Sequence, residues 1–372
     1  MKNFLTVVGA RPQFVKAAVV SRVLRGRPGV TEVLVHTGQH YDDGMSDVFF
    51  RELAIPKPDV NLGVGSDSQG AQTARMLEGL ERLMVKGRPD WVLVYGDTNS
   101  TLAGSLAASK LGIPVAHVEA GLRSFNRVMP EEINRVVTDH LSCLLFAPTD
   151  AAVANLSREG IAGCSVLMVG DVMYDAALFY SRDAVMGEAP MLRLGIEPKA
   201  YVLATIHRAE NTDDAERLAA VFGGLARLAA EVPVVVPLHP RTRKALSTLP
   251  GGMVATQALS LIEPVGYLDM LLLEKNARLI MTDSGGVQKE AFFHGVPCVT
   301  LRSETEWVEL VQSGWNELVF PVSADHVYQG AHRALARVVP IERPQFYGRG
   351  TAAEEIADAL LERTRERPAR TV

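Results

Sequence analysis

Short runs of β-branched and other apolar residues alternate with longer stretches of helical period along the whole 372-residue chain. That alternation is the signature of βα units feeding a parallel sheet. In the first half the strand candidates are FLTVVG, EVLVHTG, WVLVYGD, PVAHVEA and CLLFAPT. They are nearly continuous in apolar character, as expected of strands covered on both faces. The series restarts with YVLATIH, PVVVPLH, ARLIMTD and PCVTLR, separated by helix-length segments such as Asp213 to Glu231. The fold class is therefore α/β, with two doubly wound parallel sheets. The stretch between residues 171 and 199, rich in Gly, Pro and charge, marks the boundary between them.

Seven of these strands end in a polar cluster: GARPQ, TGQH, GDTN, HVEAGLRS, IHRAEN, PLHPRT and TDSGG. In open parallel sheets ligands bind outside the carboxyl ends of the strands, so these clusters should gather on one rim per domain. A cleft between two such rims is the expected active site.

Composition narrows the chemistry. The chain is 47% hydrophobic and 22% charged, ordinary globular usage. Its formal net charge of −5 gives no general attraction to nucleic acid or anionic lipid, so any polyanion must meet a local site. No apolar run approaches the roughly 18–20 residues that cross a bilayer. The opening MKNFLTVVGARPQFV reads as a first strand, because Arg11 and Pro12 interrupt the apolar stretch. Three cysteines, Cys143, Cys164 and Cys298, lie far apart without metal-ligand spacing; their odd count fits a reducing cytoplasm. HExxH, GxSxG and Walker A patterns are all missing, so no metal is expected. GARPQ lacks GxGxxG, and no dinucleotide cofactor is expected either.

Each cluster admits a functional and a plain reading. Ser284, Gly285 and Gly286 follow a strand and open a helix, where unbonded N–H groups and the positive end of the helix dipole suit a phosphate. The alternative is an N-cap by Asp283 or Ser284. Arg11 and Lys16, beside the first Gly turn, can reach a phosphate or carboxylate, or simply be solvated. Asp97 and Glu119 each close an apolar strand, where an acid is costly unless it is hydrogen-bonded or functional, and Glu131 and Glu132 open the helix after Pro130. Acids in a first helical turn also complement the dipole. His207 beside Arg208, in a motif that ends in Asn211, can bind phosphate or carry a proton, or serve structurally.

Taken together and in order, GARPQFVKAA (9–18), TGQHYD (37–42), GDTNSTLAGSLAA (96–108), HVEAGLRS (117–124), MPEEINR (129–135), HRAEN (207–211), PLHPRT (237–242) and TDSGGVQKEA (282–291) resemble the non-hydrolysing UDP-N-acetylglucosamine 2-epimerase family. The resemblance spans essentially the whole chain. It implies two Rossmann-like domains in a GT-B-like arrangement with an interdomain cleft, over residues 1–175 and 176–345, with a helix at about 351–366 packing back onto the first. It also implies a homodimer, no cofactor, and epimerisation of UDP-GlcNAc to UDP-ManNAc through UDP and 2-acetamidoglucal. Matched residue by residue, the catalytic groups fall on Asp97, Glu119, Glu131 and His207, and nucleotide contacts on Arg11, Lys16, Ser284, Gly286 and Glu290. Gly285, Arg208 and Asn211 join the binding set through their motifs.

The chain departs from the family pattern at several points. Gln13 replaces a common Glu, and Arg349 the Asp of a Gly-Asp-Gly. Gln39-His40-Tyr41-Asp42 replaces the Gln-His-Arg-Gln of members activated by a second UDP-sugar, and Thr305-Glu306-Trp307-Val308 replaces Thr-Glu-Arg-Pro. ETEWVE and GWN resemble the branch that includes UDP-2,3-diacetamido-glucuronate 2-epimerases, the alternative substrate. A GT-B glycosyltransferase and a non-enzymatic UDP-sugar sensor are the readings of other classes.

Overall fold

The structure, a computed structural model, describes residues 1–39, 57–183, 191, 194–249, 256–337 and 343–366. The chain divides into two units, Met1–Phe179 with Gln345–Val372, and Tyr180–Pro344.

In the first unit the order is β1 (Lys2–Val8), α1 (Arg11–Gly26), β2 (Val30–His36), β3 (Val60–Asn61), α2 (Gln69–Gly87), β4 (Trp91–Tyr95), α3 (Asn99–Lys110), β5 (Val115–Val118), α4 (Pro130–Leu141), β6 (Leu144–Ala147), α5 (Asp150–Arg158), β7 (Val166–Met168) and α6 (Val172–Asp183). All strand pairs are parallel, in the order β3-β2-β1-β4-β5-β6-β7. The chain winds outward from β1 through β2 to β3, then crosses to the other side of β1 and winds outward again from β4, so the topological switch lies between the carboxyl ends of β1 and β4. Helix α3 is built of small residues. A Cβ on Gly104 would stand only 3.1 Å from Val94 and 3.3 Å from Val7, which shows how closely this helix lies on β4 and β1.

The second unit repeats the plan with β8 (Val202–Thr205), α7 (Ala209–Thr212), α8 (Ala215–Leu228), β9 (Val234–Pro237), α9 (Pro240–Thr248), β10 (Ser260–Ile262), α10 (Tyr267–Asn276), β11 (Leu279–Thr282), α11 (Gly285–Phe293), β12 (Cys298–Thr300), α12 (Val308–Gln312), β13 (Asn316–Leu318) and α13 (Ala324–Ala336). Its strands are again parallel, ordered β10-β9-β8-β11-β12-β13 with the switch between β8 and β11. Alternate strand residues enter different cores. Val202, Ala204, Leu279 and Met281 pack with α8 and α13, whereas Leu203 and Ile280 pack with Leu273 and Ala291 of α10 and α11. A period of two with both faces buried is what a doubly wound sheet requires.

All nine strands expected from the sequence are present. The other four, β3, β7, β10 and β13, are the four sheet edges, each two or three residues long. Such short edges carry too little apolar pattern to announce themselves.

The last helix, α14 (Ala352–Glu366), belongs to the first unit. Trp91 Nε1 donates to Thr364 Oγ1 at 3.0 Å, and the Ala353 N–H donates to Asp175 Oδ2 at 2.8 Å. Asp175 thus caps α14 from another helix, yet burial raises its pKa to about 6 despite the Ala353 and Ala352 N–H groups. The folded chain therefore holds this proton more tightly than the unfolded chain does. The resulting stability is full below about pH 4 and is lost as pH rises through about 6. Asp175→Asn keeps an acceptor without the charge. It should stabilise the protein above pH 6 by on the order of 1–3 kcal/mol and leave it little changed at pH 4, measured by urea unfolding at both pH values.

Candidate functional site

In the first unit the four polar clusters meet at the switch point. Gly9 lets the Thr37 and Ser100 hydroxyls, 2.8 Å apart, close over the end of β1; a Cβ there would lie 2.3 Å from the first and 2.0 Å from the second. Gln39 Oε1 accepts from the Ser100 N–H and hydroxyl, while His40, Tyr41 and Asp42 lie outside the described residues.

The turn that presents Asp97 is held at three successive carbonyls. Tyr95 O accepts from Gln13 Nε2 (2.7 Å) and Thr101 Oγ1 (2.6 Å), Gly96 O from His117 Nε2 (2.7 Å), and Asp97 O from Asn134 Nδ2 (2.9 Å). The buried Gln13 also accepts from the Gly9 and Ala10 N–H groups through Oε1. A glutamate could accept those two bonds but, when ionised, has nothing to donate to Tyr95 O, so Gln suits this position. Gly96 itself has φ +61°, a region open to glycine.

Asp97 pairs with Arg135 Nη2, and its side chain is 30% exposed. Glu119 takes the left-handed conformation at φ 71°, a strained state for a non-glycine residue that clusters at functional sites. Its Oε1 meets Lys16 Nζ at 2.5 Å, with both side chains 8% exposed. Lys16 is therefore a paired cation beside a candidate acid. Of the two acids opening α4, Glu132 is structural: it accepts from the Ser124 and Phe125 N–H groups and the Ser124 hydroxyl, and pairs with Arg135 at 3.0 Å. Glu131 is exposed. Arg11 opens α1, and its side chain lies outside the described residues.

Behind these acids runs a buried charge chain. Asp139 contacts His117 Nδ1 through Oδ1 (2.7 Å) and pairs with Arg123 through Oδ2 (2.7 Å), and Arg123 makes a two-pronged pair with Glu159. Burial pushes the Asp139 carboxyl up, but His117 and Arg123 outweigh it and hold it below the usual carboxylate range.

In the second unit Asp283 joins the two sides of the switch. Its fully buried carboxylate accepts from the His207 N–H (3.1 Å), the Arg208 N–H (3.1 Å) and Asn211 Nδ2 (3.1 Å). Asn211 also donates to Leu301 O and is buried, so it acts on the loop that carries His207 and Arg208. The His207 Nδ1 atom lies 3.4 Å from Asp283 Oδ1, and 43% of the side chain is exposed. Packing around the rest of the ring lowers its pKa and Arg208 adds to this, against the opposing pull of Asp283. His239 caps α9 by accepting from the Arg241 N–H, with its ring 6.2 Å from that of His207.

Asp283 is thus spent on the β8 loop, and Ser284 makes no side-chain cap bond to α11. Neither gives the N-cap that the sequence allowed. At Gly285 a Cβ would stand 3.7 Å from Arg208 Nη2 and 3.9 Å from Trp307 Nε1, so a guanidinium and an indole N–H border the helix start. Gly286 adds no side chain there. Where the family pattern has Arg, the buried Trp307 covers Lys289, whose Nζ lies 4.0 Å from the ring centre. Glu290 is buried on the same helix near Glu274, whose carboxyl is pushed well above its ordinary range by burial and by Glu290.

Sequence reading assigned no role to His117, Asp139, Asn134 or Arg135, and gave Asp283 only the N-cap alternative. The positions of His117, two before Glu119, of Asn134 and Arg135, three and four after Glu131, and of Asp283, directly before Ser284, are a signal that could have found these four; Asp139 carries no such mark.

Comparison with known proteins identifies the scaffold. A family model described as UDP-N-acetylglucosamine 2-epimerase matches residues 22–361. UDP-2,3-diacetamido-2,3-dideoxy-D-glucuronate 2-epimerase of Pseudomonas aeruginosa is 49% identical over 96% of this chain and 99% of its own. A UDP-N-acetylglucosamine 2-epimerase homolog of Methanococcus maripaludis is 54% identical over 85% of this chain and 88% of its own. The crystal structure of Methanocaldococcus jannaschii UDP-GlcNAc 2-epimerase in complex with UDP-GlcNAc and UDP is 43% identical, with a TM-score of 0.89, covering 97% of this chain and all of that one. With its two Rossmann-like sheets and motifs in order, the chain belongs to the UDP-N-acetylglucosamine 2-epimerase family of isomerases.

Proposed function

We propose that this enzyme inverts C2 of a UDP-2-acetamido sugar, with UDP-GlcNAc and UDP-ManNAc as the pair it interconverts. The observation that carries this reading is the placement of Asp97 and Glu119 at adjacent strand ends of one sheet, with a start of α11 bordered by Arg208 in the other. In the first half-reaction the C2 proton is taken by an enzyme base, the C1–O bond breaks with its electron pair going to the diphosphate, and UDP and 2-acetamidoglucal result. In the second, UDP oxygen adds back to C1 while C2 receives a proton on the opposite face.

Two faces require two proton carriers, and Asp97, Glu119, Glu131 and His207 supply them. Each such group contributes roughly 10²–10⁴ in rate. Carboxylates near the ring also stabilise positive character at C1 as the bond to the leaving group stretches. The departing diphosphate gains negative charge, which the α11 start, Ser284, Gly285, Gly286 and Arg208 can meet. Arg11, Lys16 and Glu290 complete the nucleotide contacts, and Asn211 holds the His207 loop. The reaction needs no cofactor. We place the enzyme in the cytoplasm as a homodimer supplying polysaccharide synthesis; no helix among the described residues is long and apolar enough to cross a membrane.

A second reading keeps the reaction and changes the sugar. The relative from P. aeruginosa and the ETEWVE and GWN segments, which resemble that branch, both favour a 2,3-diacetamido uronate. Turnover of the two UDP-sugars measured side by side tests this. Conversion of UDP-GlcNAc to UDP-ManNAc is the expected result. Turnover confined to the uronate would replace the substrate, and turnover of neither would overturn the function.

A further inference from the structure

His117 takes no part in the chemistry above, yet it lies two residues before Glu119 with both ring nitrogens in close polar contact. Its ring is wholly buried, with Nδ1 2.7 Å from Asp139 Oδ1 and Nε2 2.7 Å from the carbonyl oxygen of Gly96. Both partners are acceptors. A neutral imidazole has one N–H, and its other nitrogen would turn a lone pair toward one of these oxygens. Against the push of burial, His117 and Arg123 hold the Asp139 carboxyl below its usual range, so it is ionised and can only accept. A ring that donates from both nitrogens then satisfies the two contacts, and the carboxylate balances the charge. The other ionised groups of this cluster, Arg123 and Glu159, neutralise each other, with His140 3.5 Å from Glu159.

Gly96 is held by the neighbouring strand through both of its backbone groups. Its N–H donates to Val118 O at 3.0 Å and its carbonyl accepts from the His117 ring. The next residue is Asp97, and a Cβ on Gly96 would stand 3.3 Å from Lys16 Nζ and 3.5 Å from Glu119 Oε1. The ring thus holds the peptide that leads into Asp97, close to the Lys16–Glu119 pair.

We infer that His117 is held as a buried imidazolium whose Nε2–H locks the Gly96–Asp97 peptide, making it a positioning residue for the carboxylate of Asp97. The inference rests on the proposed role of Asp97 for its kinetic consequence, but the state of the ring can be read independently. Misplacing a reacting group by about 1 Å can cost 10²-fold in rate. Removing this lock should therefore lower kcat while substrate binding, carried by other groups, persists.

The test has two arms on the full-length protein. In ¹⁵N-histidine-labelled wild type, NMR should show two slowly exchanging ring N–H signals from His117, assigned through contacts to the Gly96 and Asp97 amides. A ring with a single N–H overturns the inference. His117→Gln, which can donate toward only one partner, should lower kcat about 100-fold with KM within about threefold. A kcat within threefold of wild type, or a loss confined to KM, also overturns it. Should that variant fail to fold, the wild-type NMR result alone decides. Wild-type protein inactive on every UDP-sugar would refute the proposed function and leave the ring measurement standing.

Discussion

Asp97→Asn is expected to reduce kcat for C2 inversion by about 10²–10⁴-fold, the range lost when one general acid or base is removed. The substitution is nearly isosteric. Asn retains an oxygen for Arg135, which also keeps its 3.0 Å bond to Glu132, and the backbone of residue 97 remains held by Asn134. Unfolding free energy should change by less than about 1 kcal/mol, because the side chain is 30% exposed and the lost pair is partly solvated. Steady-state kinetics with a urea melt on the same preparation checks both halves. Activity within tenfold of wild type would remove Asp97 from the chemistry, and a large loss of stability would make its role structural.

The largest stability effect is expected behind the site. Asp139→Ala takes away the carboxylate that accepts from His117, Arg123 and the Gly121 N–H, all at buried positions. Breaking a buried pair leaves uncompensated charge, which costs about 3–5 kcal/mol. Arg123 keeps its two contacts to Glu159, so the cost falls mainly on the His117 end. Denaturant unfolding should show this loss at neutral pH. A change below about 1 kcal/mol would mean that water or rearranged neighbours satisfy these groups and that the chain of charges does not brace the site.

The two predictions separate what the sequence exposes from what only the fold reveals. Interior strands such as WVLVY are wholly buried and wholly apolar, and this pattern made both sheets legible. Asp97, Glu119, His207 and Ser284 stood out because each follows such a strand, where a polar residue is conspicuous. The edges β3, β7, β10 and β13 did not, because two or three residues carry no period.

The network behind the acids was illegible for another reason. Asp283 binds the His207 loop across 76 residues and Gln13 reaches Tyr95 across 82, and no local spacing encodes such pairs. Asp283 illustrates the point: its neighbours make it an N-cap candidate, whereas the parallel register of β8 and β11 turns it toward His207. Trp307 was visible as a departure, but that it covers Lys289 follows only from the packing.

Proton NMR of the enzyme turning over in D₂O tests the central claim most directly. With UDP-GlcNAc and, in parallel, the UDP-2,3-diacetamido uronate, the account predicts a C2 epimer of at least one and deuterium at C2 in both members of that pair, because each passage through the glucal replaces the C2 proton with one from the enzyme. Recovery of both sugar nucleotides unepimerised and with their C2 protons intact would contradict it.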